Sequence, residues 1–209
     1  MRTFIPLLSC LLITSNAIAQ EERPVEHDLF PLNTGMRWTY KIQGQDDRLV
    51  VNVAGVDRIG EARCVRLEAR LGNRVIATEH LSLTKDGAFR HRLDSADIEP
   101  PLTICKFPAT QGLTWEAQYK INDKRATLSY EIEEEEITVP AGKYKAVAVR
   151  SEIPDRAGAF RNTIWYAPKV GMVKQEIADG DRTVTLLLEK FERPTEKDNG
   201  KSPAKKSKQ

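Results

Sequence analysis

The sequence predicts an all-β fold: an antiparallel curved sheet, open barrel or sandwich built from two related halves. Three observations carry that expectation. Apolar and polar residues alternate along most of the chain, and short turns such as Gly72-Asn73, Asp86-Gly87 and Asp179-Gly180 separate the alternating runs. The spacing Phe-Pro, three residues, Gly, two residues, Trp also occurs twice, as Phe30, Pro31, Gly35, Trp38 and as Phe107, Pro108, Gly112, Trp115.

The elements follow from the alternation, because side chains two apart on a strand share a face. Met36, Trp38, Tyr40 and Ile42 oppose Arg37, Thr39, Lys41 and Gln43, which predicts a strand over 36–43. Strands follow over 48–56, 62–71, 74–84 and 87–93, the third setting Val65, Leu67, Ala69 and Leu71 against Arg66, Glu68 and Arg70. A short strand over 102–106 precedes the second motif copy. Strands over 113–121, 125–139, 143–153, 160–167, 171–178 and 182–191 complete the body. Short connections favour antiparallel neighbours, and one-sided burial requires the sheet to curl on itself or stack. Within 125–139 the phase changes between Tyr130-Ile132 and Ile137-Val139, so a bulge or bend is expected among Glu133–Glu136.

The two copies of the motif divide the body into a first β half over 30–106 and a second over 107–192, sharing one compact domain. Further correspondences support the repeat: Gly60, Cys64, Val65 and Leu67 against Gly142, Ala146, Val147 and Val149, and Gly87 against Gly171. Residues 1–19 read as a secretory signal peptide, with Arg2, an apolar run from Phe4 to Ile13, and the small-residue site Ala17-Ile18-Ala19. The run is too short to span a bilayer, so no transmembrane segment is expected. Cleavage after Ala19 places the product in the periplasm or outside the cell, with 20–29 as an N-terminal segment. Residues 193–209 lack large apolar side chains and carry Arg193, Lys197, Lys201, Lys205, Lys206 and Lys208, the composition of a disordered basic tail. Lys and Arg total 32 against 30 Asp and Glu, and with the tail set aside the body is mildly acidic, so no nucleic-acid partner is expected.

Cys64 and Cys105 remain in the mature chain, and an oxidising compartment favours pairing them. Such a bridge would close a loop of about 40 residues and contribute about 3–4 kcal/mol; free thiols are the alternative.

Signatures of chemistry are sparse. Glu131 and Glu133–Glu136 offer carboxylates for a hard cation, but successive strand residues point to opposite faces, so a solvated strand end is expected. His27, His80 and His91 show no metal-ligand spacing. His80 shares parity with Thr78 and Ser82 on the polar face, where it should be exposed, and His91 shares parity with Phe89 and Leu93. There is no nucleophile elbow, Cys–His pairing or phosphate-cradling glycine loop. The expectation is therefore no catalytic residue, no metal and no cofactor. Trp38 and Trp115 are expected in the core. Trp165 and Tyr166 are the candidate ligand-binding residues, because adjacent strand residues face opposite ways and one of them must leave the core face.

The segments Phe30-Pro31-Leu32-Asn33-Thr34-Gly35-Met36-Arg37-Trp38-Thr39-Tyr40, Val139-Pro140-Ala141-Gly142-Lys143-Tyr144 and Trp165-Tyr166-Ala167-Pro168-Lys169-Val170-Gly171-Met172-Val173 resemble those of a broad group of uncharacterised exported bacterial all-β proteins. The resemblance spans about residues 30–178 and rests on turn-and-strand signatures, so it implies a fold and an envelope location without any site residue. That group is in turn similar to curved-sheet carriers of lipids and lipoproteins. The resulting expectation is an exported, non-catalytic β-protein that binds an apolar ligand such as a lipid, or an envelope protein. A structural or interaction module of the envelope is the alternative, and an envelope hydrolase is a third.

Overall fold

The computed structural model describes residues 26–153 and 160–194; the leader over 1–19 and the tail beyond Pro194 lie outside the described residues. Twelve strands succeed one another: β1 (Arg37–Ile42), β2 (Arg48–Ile59), β3 (Ala62–Leu71), β4 (Arg74–Thr84), β5 (Gly87–Leu93), β6 (Ala96–Lys106), β7 (Thr114–Ile121), β8 (Lys124–Val139), β9 (Gly142–Glu152), β10 (Phe160–Ala167), β11 (Gly171–Asp179) and β12 (Arg182–Glu192). Each pairs with its successor, and β12 returns to β1 from Arg37↔Glu192 to Ile42↔Leu186. The curved sheet is thus a closed barrel. Register shifts in the ladders β1–β12, β2–β3, β3–β4, β4–β5, β5–β6 and β10–β11 mark the bulges that bend the strands enough to close.

Closure has a weak seam. β6 is longer than the alternation indicated, yet it meets β7 through only Ile98↔Ile121 and Glu99↔Lys120. The next two residues are Pro100 and Pro101, which have no N–H to donate, so the ladder stops there.

Cross-strand partners show which face is which. Trp38, Val51, Ala69 and Ala77 form one row across β1–β4 and face inward, while the adjoining row Arg37, Asn52, Glu68 and Thr78 faces out. Apolar inside and charged outside is the inverse of a transmembrane barrel. The buried side chains gather into two clusters, one around Phe30, Leu102, Trp115, Ile132 and Tyr166, the other around Trp38, Tyr40, Val65, Val173 and Leu188. Full burial of one such side chain is worth about 1.5–3 kcal/mol.

The Phe-Pro…Gly…Trp copies are built alike. Gly35 and Gly112 adopt φ of +88° and +79°, a conformation that disfavours side chains. The Gly35 N–H donates to Val53 O and the Val53 N–H returns to Met36 O; Gly112 and Leu113 make the same pair of bonds with Ile132. Each glycine turn therefore pins the start of its strand to the strand that follows. Trp38 and Trp115 are both buried, as expected.

Residues 26–33 close one end of the barrel. Phe30 is buried with its ring 4.6 Å from that of Tyr166, and His27 stacks on Phe107 at 3.6 Å. The Lys169 N–H donates to Asp28 O at 2.7 Å, tying this segment to the turn before β11.

The expected bulge in β8 is absent. Its ladder with β9 runs unbroken from Ser129↔Glu152 to Val139↔Gly142. The phase changes because burial changes face: Leu128, Tyr130 and Ile132 belong to the first cluster, whereas Val139, with Ala146 and Ala148 of β9, belongs to the second. The Ala141 N–H donates to Leu188 O, docking the tip of this hairpin on β12.

Candidate functional site

Eight strands enclose an interior that side chains just fill, and twelve enclose more. Beneath the Leu29-Phe30 plug a cavity of about 320 Å³ remains, walled by Leu49, Leu67, Leu81, Ile164 and Met172 together with Trp38 and Tyr166. A second cavity of about 310 Å³ lies against Leu93, Leu102, Tyr119, Leu128 and Tyr130. Arg90, Ile104 and Ile164 line both and form the partition between them. Both spaces are partly open, so they are pockets of the barrel rather than sealed voids.

The partition is polar. Arg90 of β5 sits opposite Leu81 and Leu102, on the inner face, and Glu79 of β4 sits opposite Leu67 and Leu93. The Arg90 Nε–H donates to Glu79 Oε2 at 3.0 Å and Nη2 lies 2.9 Å from the same oxygen. Burial opposes the charge on Arg90, and Glu79 with the surrounding tyrosines more than restores it, so the guanidinium stays protonated. Burial likewise raises the pKa of Tyr119, Tyr130 and Tyr166, with Arg90 acting in the opposite direction, which keeps all three hydroxyls as donors. Sequence reading missed this pair. Its signal was a charge on an apolar face, since Glu79 shares parity with Ala77, Leu81 and Leu83.

Trp165 and Tyr166 separate as adjacent strand residues should. Tyr166 enters the interior cavity, whereas Trp165 lines a groove of about 740 Å³ on the outer side of β7–β11, among Glu116, Glu131, Arg150, Arg161 and Glu176. The Trp165 Nε1–H donates to Glu135 Oε2 at 2.9 Å, and the Lys174 ammonium stands 4.1 Å from the ring centroid. Arg150 bridges Glu133 and Glu135, so two carboxylates of the acidic run are held by one guanidinium.

The bridge weighed between Cys64 and Cys105 does not form; both thiols are free and buried. Cys64 is on β3 and Cys105 on β6, with β4 and β5 between them. Three spacings of about 4.8 Å along the sheet far exceed the roughly 4 Å between the Cβ atoms of a disulfide. Burial pushes the Cys64 thiol up to about 11 and Cys105 up to about 12, leaving both protonated and poor nucleophiles.

His80 also departs from expectation. It is on the outer face but only 6% exposed, flanked by its cross-strand neighbours Arg66 and Arg92, with Nε2 3.0 Å from Asp57 Oδ2. Long arginine side chains cover it, which parity alone does not register. His91 is the bulged residue between the pairs His80↔Arg92 and Leu81↔Arg90, and its Nε2 lies 2.8 Å from Ser82 Oγ.

The family model described as DUF3108-like matches residues 110–185, from the turn before β7 into β12. No curated protein matches the chain. Two solved structures are similar in fold. One is a "putative lipoprotein" from Parabacteroides distasonis ATCC 8503, with 16% identity and a TM-score of 0.49, covering 78% of this chain and 98% of its own. The other is a "putative exported protein with YmcC-like fold" from Bacteroides fragilis NCTC 9343, with 13% identity and a TM-score of 0.47, covering 77% and 97%.

Proposed function

We propose that this is an exported, non-catalytic binding protein that holds an apolar ligand inside its barrel. The observation that carries the reading is the cavity of about 320 Å³ walled by aliphatic and aromatic side chains. Its size lies in the range of small-molecule pockets, about 300–1,000 Å³, and its lining matches their apolar character. Ile76 supports access: it lines the cavity and is 45% exposed, so this wall reaches solvent. Val184, 43% exposed, pairs with Ile177, another lining residue, and extends the apolar rim.

The test is native mass spectrometry of the purified mature protein, followed by solvent extraction and titration with an apolar fluorophore. A co-purifying apolar molecule, or saturable one-to-one binding of the fluorophore, is expected. Absence of both would overturn the reading.

A further inference from the structure

The interior is not uniformly apolar, and its polar part has a direction. The Arg90 guanidinium carries five N–H donors. Nε and Nη2 face Glu79 Oε2, while Nη1 has no partner among the described residues. The hydroxyls of Tyr119, Tyr130 and Tyr166 likewise have no partner among them, although each residue lines one of the two cavities that Arg90 separates. Against these donors the partition offers one unengaged carboxylate oxygen, Glu79 Oε1. Gln175 Nε2 donates to Asn162 Oδ1 at 2.9 Å and Ser151 Oγ donates to Asn162 O at 3.2 Å, which leaves Gln175 Oε1 as one further acceptor, still fewer than the donors. A surplus of donors converging from several strands is complementary to an acceptor-rich head group. The apolar cavity beside it is complementary to a chain.

We propose that the ligand is a single-chain amphiphile of the fatty-acid type, its carboxylate held by Arg90 Nη1 and the hydroxyls of Tyr119, Tyr130 and Tyr166, its tail in the cavity beneath Phe30. This rests on the reading that the barrel binds an apolar ligand. Glu79 has a defined part in it. In the empty protein it supplies the counter-charge for a guanidinium largely withdrawn from solvent, and in the complex it competes with the ligand for that guanidinium.

The test is displacement of a cavity-bound apolar fluorophore by three ligands of equal chain length: dodecanoate, dodecanol and dodecyltrimethylammonium. Dodecanoate should bind tightest, by about tenfold over dodecanol, and the ammonium weakest, because it brings no acceptor to a donor-rich site. In the double variant Glu79→Gln/Arg90→Met, which removes both charges and orphans neither, the preference for dodecanoate should vanish while dodecanol affinity persists. Glu79→Gln alone should strengthen dodecanoate binding. Equal affinity for all three ligands, or a preference for the ammonium, would overturn the head-group assignment and leave the apolar cavity standing. Failure of all three to displace the fluorophore would remove the cavity reading itself. Should the double variant fail to fold, Tyr166→Phe provides the second readout, with an expected loss of dodecanoate affinity larger than that of dodecanol, and an equal loss of both would overturn the head-group assignment.

Discussion

Trp165 and Tyr166 are consecutive in β10, yet they face two unlike concavities, and the contrast shows what distinguishes the proposed binding site from a surface groove. The outer groove at Trp165 is the larger, about 740 Å³ against about 320 Å³ for the cavity at Tyr166. Trp165 itself is buried in the second cluster, but the groove's rim is ionic and faces water, where charged groups are screened and each exposed pair is worth about 0–1 kcal/mol. Arg150, for example, is 42% exposed and already engaged by Glu133 and Glu135. In the cavity the walls are mostly apolar, and the Arg90–Glu79 pair, 22% and 32% exposed, is less open to water than Arg150, so a new contact there is screened less. Apolar lining and unspent donors distinguish the cavity more than volume does.

The comparison can be broken most forcefully at the plug. Phe30→Ala should lower unfolding free energy by about 3–5 kcal/mol, seen as a lower denaturant midpoint with an unchanged slope, because Phe30 packs on Tyr166 and Phe107 at the closed end. An unaffected midpoint would mean that residues 26–33 merely rest on the barrel. Filling the cavity is the next step. Ala69 and Ala77 face each other across β3 and β4 and both line it, so Ala77→Phe should reduce apolar-ligand affinity at least about tenfold, measured by fluorophore titration. The matching change in the groove, Thr163→Phe, should leave that affinity alone.

A smaller effect separates structure from binding on the outside. Trp165→Phe removes the bond to Glu135, which keeps Arg150 as a partner, and leaves space in the second buried cluster, so about 1–2 kcal/mol of stability should be lost with ligand affinity intact. A fall in affinity would move the site to the groove.

The last effect is one of pH. Burial lowers the pKa of His27 and of His91 from the ordinary 6.5, with Asp28 acting against the shift at His27 and His80 adding to it at His91. The unfolded chain then binds more protons as the pH falls through 6.5, so stability present above that value is lost below it, down to the folded pKa values. Melting temperature should therefore drop on acidification past 6.5, and His27→Phe, which preserves the stack on Phe107, should recover part of the drop.

Much of the barrel wall was legible in the sequence. Period-two alternation located all twelve strands, and the Gly35 and Gly112 turns start their strands with the same pair of backbone bonds, the glycine N–H donating to Val53 or Ile132 O and Met36 or Leu113 O accepting the return bond. Closure was not legible, because alternation reports one buried face and is silent on what that face meets; the β1–β12 ladder joins residues about 150 apart in sequence. Parity misplaced His80 for a related reason, since Arg66 and Arg92 bury it from neighbouring strands. It also turned a change of buried face in β8 into an expected bulge. The separation of Trp165 from Tyr166, both candidate ligand-binding residues, was visible, but the meeting of Tyr166 with Arg90, Tyr119 and Tyr130 from other strands was not. Adjacent-residue logic carries no information about such long-range meetings.

The central claim, that ligand enters the barrel and not the groove, is tested most directly by tryptophan quenching with a brominated fatty acid. Trp38 lines the cavity and Trp165 the groove, so two variants suffice, one keeping only Trp38 and one keeping only Trp165. Saturable quenching of Trp38 with Trp165 unaffected is the predicted result. Quenching of Trp165 alone, or of neither, would contradict it.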